Sequence, residues 1–203
     1  MRGEGDRRQE SGVGIGGLIV VLLWLCSCGR YADFTLPPPE AGGPREPFQW
    51  APVSGPVLSR GAPDEWDAVD VLNPSVVQWN GALLNLYSGY DGRTWHTGVA
   101  VSDDGGQHWR KRGRVLSPEG WEGHYIAANG SALVVGNEIL YWYQAGEPPR
   151  IALARSRDGG STWTREPEAV VPLGPRGSFD ERGVADPYVI RRGNFFYLFY
   201  LGI

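Results

Sequence analysis

An all-β fold of repeated four-stranded antiparallel units is the architecture this sequence predicts, and three interleaved repeats predict it. The first is a buried strand, a turn and an aromatic strand, beginning at Asn73, Asn129 and Asp186, which lie 56 and 57 residues apart. Its turns, Asn80-Gly81, Gly136-Asn137 and Gly193-Asn194, carry the residues that tight hairpins need. The second repeat is Ser102-Asp103-Asp104-Gly105-Gly106-Gln107-His108-Trp109 and, 54 residues on, Ser156-Arg157-Asp158-Gly159-Gly160-Ser161-Thr162-Trp163. In such a loop the aspartate accepts turn N–H groups, glycine allows positive φ, and tryptophan packs beneath. The third is an aromatic residue followed by a carboxylate: Trp66-Asp67, Trp121-Glu122 and Phe179-Asp180. Its aromatic member stands seven or eight residues ahead of each inner strand. Four strands in about 55 residues make a unit the size of a β-propeller blade.

The elements follow in chain order. Val13 to Leu25 is an apolar run behind Arg7 and Arg8, shorter than the roughly 20 residues a spanning helix needs, and it reads as a secretory signal. Its end, Leu25-Cys26-Ser27-Cys28, resembles the lipobox of bacterial lipoproteins. That resemblance implies acylation of Cys28 and a lipid-anchored place on the cell envelope, at the outer membrane or cell surface. Residues 1–28 are therefore assigned to the signal. Residues 29–48, with Pro37-Pro38-Pro39, form an extended tether.

Residues 49–203 are assigned to the propeller. Pro56-Val57-Leu58 reads as the outermost strand of a preceding blade. Blade one is expected over about 71–116, blade two over about 128–171, and an incomplete blade three from about 184. A five-bladed propeller has about twenty strands, and two and a half blades read as a piece of a longer protein.

Composition narrows the function. A formal net charge of −4 leaves no basic surplus to neutralise phosphates, which excludes nucleic acid as the main partner. The only cysteines are Cys26 and Cys28, and His96, His108 and His124 are scattered, so no zinc site and no cofactor motif can be read. With Cys26 removed and Cys28 acylated, disulfides take no part in stability.

The second repeat resembles the Asp-box, Ser-x-Asp-x-Gly-x-Thr-Trp, of sialidases and other propellers, with His108 in place of threonine in its first copy. Asp104 and Asp158 are structural on that reading. Asp186-Pro187-Tyr188-Val189-Ile190 ahead of Tyr200-Leu201-Gly202, and Asn73-Pro74-Ser75-Val76-Val77 ahead of Leu86-Tyr87-Ser88-Gly89, resemble the five-bladed superfamily of arabinanases, levansucrases and invertases. The resemblance implies carboxylates at the starts of inner strands converging on a central pit, two of them being the minimum for glycoside hydrolysis.

Carried over by position, Asp186 keeps the carboxylate, whereas Asn73 and Asn129 hold carboxamides that bind a hydroxyl but cannot act as a base. Asp186, Asp70 and Asp67 are the catalytic candidates. Asn73, Glu122, His124, Asn129, Asp180, Glu181 and Arg182 are the substrate-binding candidates, and Trp66, Trp95 and Trp121 offer stacking faces. Asp67, Glu122 and Asp180 equally fit turn caps or partners of arginines. A carbohydrate-active propeller, foremost a glycoside hydrolase, is the leading reading. A non-catalytic glycan-binding or assembly propeller is the alternative, and a sialidase-like enzyme lacks a legible arginine triad and tyrosine nucleophile.

Overall fold

The computed structural model describes Leu36 and residues 53–203. The signal, Cys28 and, apart from Leu36, the tether lie outside the described residues. Two four-stranded antiparallel sheets and one two-stranded sheet follow one another along the chain. The first comprises β1 (Asp70–Trp79), β2 (Ala82–Tyr90), β3 (Trp95–Ser102) and β4 (Arg110–Leu116), paired in that order. The second comprises β5 (Ala127–Val135), β6 (Glu138–Ala145), β7 (Arg150–Ser156) and β8 (Thr164–Arg165). The third pairs β9 (Val184–Arg192) with β10 (Phe195–Gly202). These are meandering blades of a β-propeller. Among the described residues the one helical element is a 3₁₀ turn at Gly120–Glu122, and no helix is long and apolar enough to cross a membrane. Residues 53–69, including Pro56-Val57-Leu58, form bends and turns instead of the expected lead-in strand. A proline in that stretch supplies no ladder N–H.

The innermost strands β1, β5 and β9 stand side by side, stitched by the same bond twice. Ala132 N–H donates to Ser75 Oγ at 2.8 Å, and Val189 N–H donates to Ser131 Oγ at 3.0 Å. Between blades one and two, Leu84, Leu86, Val99, Ile139, Tyr141 and Tyr143 form one buried cluster. Leu140, Trp142, Leu153, Val184 and Val189 form a second between blades two and three. At the outer rim, the Arg112 guanidinium of β4 donates to the Gly159 carbonyl at 3.0 Å and to Ser161 Oγ. The first two blades are therefore joined both at their inner strands and at the outer rim.

Each of the first two blades is also locked within itself. Tyr87 Oη on β2 donates to Asp67 Oδ2 at 3.0 Å, and Lys111 Nζ on β4 donates to the same oxygen at 2.6 Å. In blade two, Tyr143 Oη donates to Glu122 Oε1 at 2.5 Å, and Arg165 on β8 donates to Glu122 Oε2. In the third sheet Tyr200 Oη donates to Asp180 Oδ2 at 2.9 Å. One buried carboxylate thus ties the second strand of a blade to its fourth. The aromatic residue beside it fills the space above a small residue: a Cβ on Gly89 would lie 2.2 Å from Trp66, and one on Gly202 would lie 2.3 Å from Phe179.

The Ser102–Trp109 and Ser156–Trp163 loops close the β3–β4 and β7–β8 hairpins in matching ways. Ser156 Oγ accepts from Gly160 N–H and donates to Asp158 Oδ1, which also accepts from Ser161 and Thr162 N–H. Trp163 Nε1 donates to the Gly160 carbonyl at 3.1 Å. Ser102, Asp104, Gly106 and Trp109 repeat the pattern, and the His108 imidazole faces Asp104 Oδ2 at 2.6 Å where Thr162 stands in the second loop.

Two predictions follow from these locks. Replacing Arg165 by Met leaves Glu122, 2 % exposed, without its cation, so R165M should destabilise by about 3–5 kcal/mol in denaturant unfolding, with E122L/R165M regaining most of the loss. A loss under about 1 kcal/mol would show that the pair is idle. For Asp158, the Thr162 hydroxyl first, and then N–H donors, hold the carboxyl at about 2, below the ordinary 3.8. Its folded-state value is lowered, so its contribution is complete above about pH 4 and fades as pH falls through 2. D158N should melt below the wild type at pH 6, and the gap should close between pH 4 and 2.

Candidate functional site

The site grows out of an irregularity at the start of each inner strand. Asn73, Asn129 and Asp186 all adopt positive φ, at 51°, 54° and 50°. The strand pairing slips there: between Leu72 and Ser75 in β1, between Ala128 and Gly130 in β5, and opposite the Phe199–Leu201 step in β9. Such a bulge turns one side chain out of the alternating pattern. Asparagine and aspartate are the side-chain-bearing residues that tolerate left-handed backbone best, so the residue type answers to the backbone as well as to chemistry.

Two of the three meet directly. Asn129 Nδ2 donates to Asp186 Oδ1, and also to Gln144 Oε1 at 3.2 Å. Asn129 N–H donates to Ser88 Oγ at 2.9 Å. A string Gln144–Asn129–Asp186 therefore crosses the mouth of the inner strands. Asp186 Oδ2 has no hydrogen-bond partner among the described residues, and the side chain is exposed. Asn73 joins Asn129 in lining a cleft of about 200 Å3 between the first two blades, together with Gln144, Trp95 and Tyr125.

The remaining candidates are placed elsewhere. Asp67, Glu122 and Asp180 are buried in the blade locks, the first two facing a tyrosine and a cation, the third Tyr200 and Ser178. Burial raises the Glu122 carboxyl above its ordinary value, against the opposing pull of Tyr143 and Arg165. Donation from Ser178, and then Tyr200, lowers that of Asp180. Asp70 turns back on its own chain, accepting from Val71 N–H at 2.8 Å, and lines a separate cleft with Arg60 and Pro63. Glu181 accepts from Gly177 N–H at 2.5 Å and lies 3.8 Å from the exposed Arg182. His124 is exposed, its carbonyl accepting from Thr94 Oγ1. Trp66 packs against Tyr87 and Trp121 against the inter-blade core, whereas Trp95 reaches the cleft.

His96, Ser117 and Asp91 form a string with the outward look of a nucleophile relay. The ring places Nδ1 3.0 Å from Ser117 Oγ and Nε2 3.2 Å from Asp91 Oδ2. The imidazole is 5 % exposed beneath Trp66, and its burial holds its pKa below the ordinary value against the pull of Asp91. It clamps the loop after β2 to the segment after β4. Among the described residues no group of three His, Cys, Asp or Glu is placed to hold a metal ion.

Tyr125, Gln144 and Ser88 are the site residues absent from the candidates that the sequence offers. Tyr125 lies in a connection outside any strand, and Gln144 and Ser88 follow the locking tyrosines, where alternation sends them toward the mouth.

No family model matches the chain, and no curated protein matches it. Solved structures do. A family 117 glycoside hydrolase from Zobellia galactanivorans is 19 % identical, with a TM-score of 0.59 over 70 % of this chain and 51 % of its own. A glycosyl hydrolase from Bacteroides ovatus is 22 % identical, with a TM-score of 0.56 over 66 % and 44 %. An N-acetylgalactosamine deacetylase from F. plautii, solved with blood group B trisaccharide, is 19 % identical, with a TM-score of 0.54 over 71 % and 43 %. The chain spans about half the length of these structures or less. What it shares with them is the fold.

Proposed function

We propose that this chain belongs to a carbohydrate-active propeller that hydrolyses glycosidic bonds at the mouth of its inner strands, with Asp186 as the carboxylate at the reacting bond. The observation that carries this reading is the repeated left-handed bulge, which presents Asn73, Asn129 and Asp186 at one position in successive blades and joins the last two by a hydrogen bond. Asn129 fixes Asp186 through Oδ1 and leaves Oδ2 for water or for the sugar. Hydrolysis needs a second carboxyl group to protonate the leaving oxygen. Asp67, Glu122 and Asp180 are committed to the locks, so a further acid completes the site.

Release of reducing ends from neutral polysaccharides by the protein expressed from its own locus tests the proposal. D186N should lower the rate at least 100-fold with an unchanged melting temperature. An unaltered rate would remove Asp186 from the chemistry.

A second reading, a glycan binder without catalysis, is favoured by the carboxamides at two of the three equivalent positions. Tight glycan binding with no release of reducing ends would establish it.

The Leu25-Cys26-Ser27-Cys28 ending supports a lipid-anchored place on the bacterial envelope. Labelled palmitate should enter the membrane-bound wild type and be absent from C28A, which should leave the membrane fraction. Equal labelling of the two would refute the anchor.

A further inference from the structure

We propose that the cleft between the first two blades is a subsite for an uncharged sugar ring, and that it rejects acidic sugars. The inference rests on the carbohydrate reading above and adds the chemical class that this part of the site accepts.

The lining carries the case. The cleft of about 200 Å3 has no acidic, basic or histidine side chain in its wall. It holds roughly six waters at about 30 Å3 each, which is room for one sugar ring. Its polar side chains include three carboxamides, Asn73, Asn129 and Gln144. Among the described residues, the whole Asn73 carboxamide, Asn129 Oδ1 and Gln144 Nε2 have no hydrogen-bond partner. Unpaired donors and acceptors therefore stand together. That is what a hydroxyl needs, since it donates and accepts at once.

A carboxylate on the sugar would meet no cation here, only neutral amide donors, which offset the desolvation of a charge less well than an ion-pair partner does.

Aromatic surface completes the subsite. Trp95 lines the cleft with one neighbour stacked on it, Tyr90, at 4.6 Å between ring centroids. Tyr125, 44 % exposed, lines it too, and Trp95 N–H donates to the Tyr125 carbonyl at 2.8 Å. The two aromatic residues are thus fixed to one another through the backbone. A sugar ring has apolar C–H faces and a polar edge, and a cleft with aromatic and carboxamide walls matches both.

Calorimetric titration of the full protein tests this, carried out on the D186N background so that no turnover intervenes. The probes are neutral pentose and hexose trisaccharides and a trigalacturonide. At least one neutral trisaccharide should bind, with the trigalacturonide at least 10-fold weaker. Y125A and Q144L should each weaken the neutral ligand about 10-fold or more. N73A, at an exposed position, serves where either of those fails to fold. Binding of the acidic sugar as tightly as the neutral one, no binding of any neutral probe, or unchanged affinity in the folded variants would overturn the proposal. Turnover by the Asp186 protein is measured separately. Hydrolysis without these affinity effects would sink the subsite and keep the hydrolase, and the converse result would sink the hydrolase and keep the subsite.

Discussion

The buried carboxylate that bridges the second and fourth strands of a blade adds to backbone pairing a constraint on the outermost strand. In blade two the fourth strand is only Thr164–Arg165, yet Arg165 is anchored by Glu122 and donates to the Ser117 carbonyl as well. A charge buried this deeply is expensive unless it is paired. The tyrosine and the cation therefore specify how the strands come together as much as they stabilise them. Lys111 and Arg165 each stand two residues after the tryptophan of the preceding hairpin loop, so the loop and the lock share one register.

That register places the opposite end of the sheet. With the second strand fixed through Tyr87 or Tyr143, the residue after it, Ser88 or Gln144, faces the bulged residue Asn129. The same strand thus serves the lock through one residue and the mouth through the next. The chemistry at the mouth is then decided by what the left-handed bulge carries. Asparagine gives a neutral wall, and aspartate gives a carboxylate.

Much of the fold was legible because every blade must solve the same problem in about the same number of residues. The Gly- and Asn-bearing turns, the serine–aspartate–tryptophan loops and the aromatic–carboxylate pairs all repeat. The repeat of Asp67, Glu122 and Asp180 was visible, but its purpose turned on partners some 20 and 43 or 44 residues away, on strands whose pairing the sequence does not display. Asp67 and Glu122 each pair with a buried tyrosine and a cation, and Asp180 pairs with Tyr200 and Ser178. Asp70 illustrates the opposite case, a carboxylate close in sequence to Asn73 but turned onto its own backbone. Tyr125 left no trace because no aromatic recurs at its place, three residues after the repeated carboxylate, where the other copies have Asp70 and Gly183. Pro56-Val57-Leu58 resembled a strand in composition yet lacks a ladder to join.

The paired stitches between blades have a mechanical consequence. Ser75 fastens the first blade to the second near the centre, and Arg112 fastens the same two blades at the rim. A body pinned at both ends of its length can open at neither end without breaking a pin. The spacing between these blades is therefore set at two separated points, and widening the gap at either end means breaking a fastening.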